Sequence, residues 1–263
     1  MTNTTLPKMF DNVILSVDDN RAYYDHLPLV ATAWRKFFPG VKIKLAFLSD
    51  GTDKKTFESF ADEVVIFPTV PGVPTANAAK MLRWILASEQ GDKVSLIHDI
   101  DTVPLQSKYW IDLMKDYVPG KLLTVGADVY RGTPHDGKVP ASSTTGSGHI
   151  FKKLFNPSGV GYYELFHSWV MNTFDEKENV MNHKTMFSDE SLIRALIHKN
   201  LSPGDVIYRD RRINTYTQWI DRSDWHVEPN MLKAGQYIEA NLHRSFDDGS
   251  GRADLTEINN YIF

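Results

Sequence analysis

Short hydrophobic runs alternate with segments of helical periodicity over the first half of the chain. Residues 12–17 (NVILSV) are rich in β-branched side chains and stop at Asp18, Asp19 and Asn20, so they predict a buried strand that ends in a polar loop. Similar runs predict strands over 41–48, 63–67, 93–97 and 121–129. Apolar residues spaced by three and four predict helices between them, over 27–38, 54–60 and 76–89. This order predicts an α/β fold with a mainly parallel sheet, helices on both faces and the fourth strand at its centre.

The second half of the chain has a less regular pattern. Residues 131–148 are rich in Gly, Pro, Ser and Thr, which predicts a ligand-facing loop. A strand is expected over 149–155, helices over 161–174 and 188–199 with Ser188 as a cap, and a late strand over 237–242. No repeat or linker interrupts the chain, so we expect a single domain, 1–263, with an irregular second half from about residue 131.

Composition excludes several classes of site. The 263 residues contain no cysteine, which rules out disulfides, thiolate metal sites and cysteine nucleophiles. The net charge of −4 gives no support for a nucleic-acid-binding face. The first residues lack an apolar signal core and no run is long enough for a membrane span, so we expect a cytoplasmic location.

An acidic pair follows the fourth predicted strand. In the segment VSLIHDIDTVPL, the strand delivers Asp99 and Asp101, which an extended backbone would project to the same side. Two such carboxylates repel each other unless a positive charge lies between them, and oxygen ligands suit Mg²⁺ or Mn²⁺. Because open α/β sheets bind ligands at the carboxyl ends of their strands, the pair predicts a divalent-metal site with positions left open for a diphosphate.

The order NVILSVDDN (12–20), NAAKMLRW (77–84) and LIHDID (96–101) resembles the GT-A family of nucleotide-sugar glycosyltransferases, most closely its small single-domain members. The resemblance covers about residues 12–130, which would form the nucleotide-sugar-binding half, and 131–263 would form the acceptor side. It implies transfer of a sugar from a nucleoside diphosphate donor, with UDP as first choice, to a hydroxyl of a glycan or other acceptor.

The resemblance also implies roles for particular residues. Asp101 would bind the metal directly, Asp99 would contact the metal or the ribose, and His243 would be a further metal ligand. Asp189 and Glu190 would face the acceptor, with Asp189 ahead as the base of an inverting enzyme. The nucleotide sugar would contact the first strand's end and several polar or basic side chains: Val17, Asp18, Asp19, Asn20, Asn77, Lys80, Arg83 and Arg212. Further candidates are Arg209 and Arg211 for the diphosphate, Trp219 and Trp225 for a sugar face, and residues 144–149 for the pocket wall.

Most of these residues also have an ordinary structural explanation. Acids in a first helical turn complement the helix dipole, and basic pairs often form a solvated face. The main functional alternative is a haloacid-dehalogenase-like phosphotransferase with Asp99 as its nucleophile. That motif normally opens its domain, whereas here nearly a hundred residues precede it. A nucleotidyltransferase would need a glycine-rich loop after the first strand, and a carbohydrate-binding module would not explain the acidic pair.

Overall fold

The structure is a computed structural model that describes residues 9–51, 53–126, 128–133, 138–173, 189–211, 218–223, 225–243 and 255–263. Its strands are β1 (Asn12–Asp18), β2 (Lys42–Leu48), β3 (Glu63–Phe67), β4 (Val94–Ile97), β5 (Thr102–Pro104), β6 (Leu122–Val125), β7 (Thr144–Ser147), β8 (Val206–Arg209), β9 (Gln218–Ile220) and β10 (Tyr237–Asn241). Its helices are α1 (Arg21–Tyr24), α2 (Leu27–Phe37), α3 (Thr75–Ser88), α4 (Lys108–Met114), α5 (Gly148–Phe155), α6 (Tyr162–Thr173), α7 (Asp189–Asn200), α8 (Pro229–Lys233) and α9 (Thr256–Ile262).

Seven strands form the main sheet in the order β3-β2-β1-β4-β7-β6-β8. The β3-β2-β1-β4 half is parallel throughout, whereas β7 runs antiparallel to both of its neighbours. β4 is the middle strand, as the sequence predicted. Because β1 and β4 are parallel neighbours, their carboxyl ends meet at one edge of the sheet, where the acidic pair follows.

Alternate side chains of β1 enter different cores. Val13, Leu15 and Val17 pack with α2, whereas Ile14 packs on the opposite face with α3 and α5. This two-sided burial explains why the strand is a continuous hydrophobic run with no polar alternation. The mainly parallel α/β fold with helices on both faces is therefore confirmed.

A second, three-stranded sheet in the order β5-β10-β9 packs into the core on the α2 side. β5 follows the acidic pair directly and runs antiparallel to β10. The backbone N–H of Leu242, after β10, donates to the Asp101 carbonyl at 2.7 Å. The late strand thus fastens the C-terminal part of the chain to the acidic pair.

Four expectations about the secondary structure were wrong, two of them in the second half. Residues 149–155 form helix α5, because Ile150, Phe151, Leu154 and Phe155 recur at helical spacing and are all buried. The strand expected over 121–129 ends at Val125, where Gly126 takes φ +99° with the Pro140 ring 2.8 Å from the place that a Cβ would occupy. Residues 144–147 belong to the buried strand β7 instead of a loop. The helix expected over 54–60 is only a 3-10 turn, Lys54–Thr56.

Candidate active site

A cavity of about 470 Å³ opens at the carboxyl ends of β1 and β4. Its floor comes from the ends of these strands and its walls from α3, the start of α7, the segment before β7 and a turn after β9. The residues that line it include Val17, Asp18, Lys80, Arg83, Asp99, Asp101, Asp189, Glu190 and Arg222. The fold therefore brings together residues that lie far apart in the sequence.

The acidic pair lies in a turn, not in an extended strand. β4 ends at Ile97, and the Thr102 N–H donates to the Asp99 carbonyl at 3.3 Å. The expected extended geometry of Asp99 and Asp101 was therefore wrong, although both residues line the same cavity. In the structure each carboxylate is paired with an arginine, Asp99 with Arg83 and Asp101 with Arg222.

Arg83 is a buried bridge between two carboxylates. Its guanidinium donates to Asp99, to the Asp189 carboxylate at 3.4 Å and to the His98 carbonyl at 3.1 Å. Desolvation acts to raise the pKa of Asp99, but the Arg83 charge holds it below its usual range. A solvated basic face would be the ordinary explanation of Lys80 and Arg83. This explanation is wrong for Arg83, which is buried, whereas Lys80 is exposed at the cavity.

The carboxyl end of β1 contributes less than was expected. Val17 and Asp18 line the cavity. Asn20 instead caps α1, accepting the Ala22 N–H at 3.0 Å, and Asp19 is exposed beside it. Neither residue is among those that line the cavity. Asn77 is also outside the lining, and it cannot cap α3 because that helix begins at Thr75 after Pro74.

Asp189 and Glu190, at the start of α7, have different surroundings. The buried Asp189 accepts from Arg83, whereas Glu190 accepts from the Tyr130 hydroxyl. Burial, together with the neighbouring Glu190 carboxylate, raises the pKa of Tyr130, which keeps the hydroxyl protonated as the donor. Glu190 also lines a second cavity of about 120 Å³ that shares Asp99, Ser142 and Arg222 with the larger one. Asp99 and Glu190 thus line both spaces, and of the two α7 carboxylates only Glu190 does so.

The chemistry of the residues expected to bind metal suits a divalent cation. His243 follows the Leu242 amide that binds Asp101, and its Nε2 is buried without a hydrogen-bond partner among the described residues. Two carboxylates and an imidazole are a suitable set for Mn²⁺. Across the ranges given above, no three His, Asp or Glu side chains converge as a ready-made metal cluster. In the structure, the positive charge beside Asp99 and Asp101 comes from Arg83 and Arg222.

The charges lining the larger cavity also favour a dication. Five carboxylates and three cationic side chains line it, which leaves two formal negative charges in excess. A diphosphate entering such a cavity would be repelled, and a bound divalent cation would cancel the excess.

The remaining basic and aromatic candidates lie away from the larger cavity. Arg209 ends β8 and pairs with Asp116 at 2.8 Å, and Arg211 pairs with the buried Glu239 while lying 4.7 Å over the Trp219 ring. Trp225 packs on the His243 ring at 5.0 Å. Of residues 144–149, none lines either cavity. Arg212 and the Ser188 cap lie outside the described residues.

Sequence reasoning missed Arg222, Tyr130 and Glu239. Arg222 is 121 residues from Asp101 and Tyr130 is 60 residues from Glu190, so no local spacing connects the partners. For Glu239 a weak signal exists, since a charged residue in the middle of the hydrophobic strand YIEAN needs a partner when it is buried.

Glu239 should make the stability of the fold depend on pH. Burial acts to raise its pKa, but Arg211 and His98 more than offset this and lower it from 4.5 to about 2. A lowered folded-state pKa adds stability that is present above pH 4.5 and lost as the pH falls towards about 2. We expect the unfolding free energy, measured by urea denaturation, to fall over this window. The slope should be smaller in Glu239→Gln, and an identical slope in both proteins would contradict this assignment.

Comparisons with known proteins give the fold a precedent. No protein-family model and no curated protein matches the sequence. The galactosyltransferase LgtC, solved with donor and acceptor sugar analogs, matches over 95% of this chain and 95% of its own, with a TM-score of 0.52 and 13% identity. An LgtC active-site mutant matches over 94% of each chain, with a TM-score of 0.51 and 13% identity. The glycosyltransferase GlyE of Streptococcus pneumoniae TIGR4 matches 97% of this chain, with a TM-score of 0.52 and 12% identity.

This chain spans 60% of the GlyE chain. The likeness shows a common fold, so the expected GT-A architecture is confirmed. The structures compared are glycosyltransferases, which gives no support to the haloacid-dehalogenase alternative. Among the described residues, no helix combines the length and the apolar character needed to cross a bilayer.

Proposed function

We propose that this chain, which has the GT-A fold, is a metal-dependent glycosyltransferase that moves a sugar from a nucleoside diphosphate donor to an acceptor hydroxyl. UDP is our first choice of nucleotide, and a glycan is one acceptor class. The observation that carries the proposal is the acidic cavity at the ends of β1 and β4, whose excess of negative charge needs a dication before a diphosphate can enter.

The donor would lie across the ends of the two central strands. The backbone near Val17 and the Asp18 carboxylate would contact the nucleoside, and the exposed Lys80 ammonium would meet the diphosphate. Asp99, Asp101 and His243 would hold Mn²⁺ or Mg²⁺. When bound, the cation would neutralise charge on the departing nucleoside diphosphate. The terminal nitrogens of Arg83 already donate to three acceptors, so its role would be to position Asp99 and Asp189.

The smaller cavity would receive the acceptor. It adjoins the donor cavity at Glu190, whose carboxylate is oriented by the protonated Tyr130 hydroxyl. Glu190 is therefore better placed than Asp189 to contact the acceptor hydroxyl, while the Asp189 carboxylate is already paired with Arg83.

A thermal-shift panel tests the proposed function. UDP-, GDP-, CDP- and dTDP-sugars are added with and without Mn²⁺, and we expect one nucleotide class to raise the midpoint only with metal present. Slow, metal-dependent hydrolysis of that donor should follow. Absence of stabilisation by every donor, combined with phosphate release from a generic phosphomonoester, would overturn the proposal.

Substitutions of Asp189 and Glu190, the two carboxylates of α7, should have different effects on kcat and on donor binding. We expect Glu190→Gln to lower kcat by at least about 100-fold with little change in donor Kd, because the proposed role of the lost carboxylate is to contact the acceptor hydroxyl and not the donor. Asp189→Asn should weaken donor binding as well, because it releases Arg83 from one partner. Steady-state kinetics and calorimetry on both variants check this, and the reverse pattern would assign the acceptor role to Asp189.

A further inference from the structure

The two arginines that neutralise the acidic pair differ in how deeply their side chains are buried and in how many hydrogen bonds they donate. Arg83 has 5% of its side chain exposed and donates to three acceptors from within a 14-residue helix. Arg222 has 26% of its side chain exposed and donates to the Asp101 carboxylate at 3.0 Å. Breaking the Arg83 contacts would leave a buried charge without acceptors, whereas Arg222 can turn towards the cavity and stay hydrated.

The local backbone lets Arg222 move without unfolding an element. Arg222 stands in a turn directly after β9, and the turn is closed by Ser223, which donates from its N–H and hydroxyl to Asp221 at 2.8 and 2.6 Å. These contacts hold the turn independently of the Arg222 side chain. Arg222 lines both cavities, so its guanidinium has space on the donor side and on the acceptor side.

Asp101 needs a cation in every state of the site. Its side chain is 9% exposed and lies near Asp99 in a cavity with excess negative charge. Without a counter-ion, such a carboxylate would carry a large desolvation cost. A guanidinium on the Asp101 Oδ2 atom and a metal ion bound through the same carboxylate compete for one charge.

We propose that Arg222 is an exchangeable counter-ion, which neutralises Asp101 while no metal is bound and is released to the donor diphosphate when the dication arrives. The inference rests on the proposed function, since it assumes that Asp101 is a metal ligand. It adds a consequence that the fold alone does not imply: metal alone binds weakly because it must displace Arg222, and metal and donor bind cooperatively because the displaced guanidinium gains the diphosphate.

Calorimetry with Mn²⁺ alone and with UDP in the presence of Mn²⁺ tests this exchange. In Arg222→Gln, we expect Mn²⁺ alone to bind about tenfold more tightly and UDP with Mn²⁺ to bind about tenfold more weakly, because the competitor and the diphosphate ligand are lost together. Arg222→Lys keeps a charge and should lie between wild type and Arg222→Gln. The matched control is Arg35→Gln, which breaks a 2.9 Å ion pair with Asp62 far from the cavity and should change neither affinity.

The outcomes distinguish failure of the Arg222 exchange from failure of the proposed metal-dependent function. If Arg222→Gln leaves the affinity for Mn²⁺ unchanged while Asp101→Asn abolishes it, the exchange is wrong and the metal site stands. If Asp101→Asn also leaves it unchanged, the metal assignment itself fails. If Arg222→Gln does not fold without metal, refolding in Mn²⁺ should restore its thermal transition, and failure of Mn²⁺ to do so would overturn the exchange.

Discussion

Replacing Asp101 by asparagine is expected to remove Mn²⁺-dependent binding of UDP, with a loss of at least about 100-fold in Kd. The amide keeps the shape of the side chain but loses the charge, and a neutral amide is a much poorer partner for a hard dication. It also leaves Arg222 without its carboxylate, so the cavity keeps a guanidinium that repels the metal.

Isothermal titration calorimetry with UDP, at saturating Mn²⁺ and again with chelator, measures the effect directly. The control is Asp116→Asn, which removes an aspartate that is likewise paired with an arginine, Arg209 at 2.8 Å, but lies outside the cavity. We expect its affinity for UDP to match wild type. An unchanged affinity in Asp101→Asn with Mn²⁺ present would show that the acidic pair does not bind the metal.

The first half of the fold was predictable because its signals are local. Strands β1 and β2 are buried hydrophobic runs ended by polar residues, β3 is a half-buried hydrophobic run, and α2 and α3 have periodic apolar faces that cover the sheet. These features need no knowledge of distant partners. Since strand order then follows from right-handed crossovers, the position of the acidic pair at the carboxyl ends of the central strands could also be predicted.

The second half was less predictable because its elements depend on partners far along the chain. Helix α5 is short, and its apolar residues come in adjacent pairs, Ile150–Phe151 and Leu154–Phe155, which is ambiguous over so few residues. Gly148 begins it against the backbone at Gly91, since a Cβ there would lie 2.3 Å from the Gly91 nitrogen. No local pattern reveals such a contact.

The negative charge of the site could be predicted from the sequence, but the residues that pair with its carboxylates could not. The sequence pattern places two carboxylates after a strand, and their mutual repulsion indicates that a cation must lie between them. The structure supplies cations from Arg83 and Arg222, one from the facing helix and one from the opposite end of the chain. The requirement for a counter-charge was thus a sound physical inference, whereas the identity of the groups that meet it depends on tertiary structure.

Arg83 is the residue whose loss should cost the fold most. In Arg83→Met, the hydrophobic volume of the side chain is largely kept, but Asp99 loses its partner and the buried Asp189 loses a donor. Breaking a buried ion pair on one side leaves an uncompensated charge, so we expect the unfolding free energy to fall by about 3–5 kcal/mol. Arg83→Lys should lose less, because an ammonium keeps the charge but cannot match the fork that reaches three acceptors.

Urea denaturation with the slope m held in common measures this loss. Lys80→Gln, one turn earlier on the same helix and exposed at the same cavity, is the matched control and should change stability by no more than about 0.5 kcal/mol. Adding Asp189→Asn to Arg83→Met should recover part of the stability, since it removes one of the stranded charges. If Arg83→Met unfolds at the wild-type midpoint, or if the second substitution destabilises it further, Arg83 does not hold the two carboxylates in place.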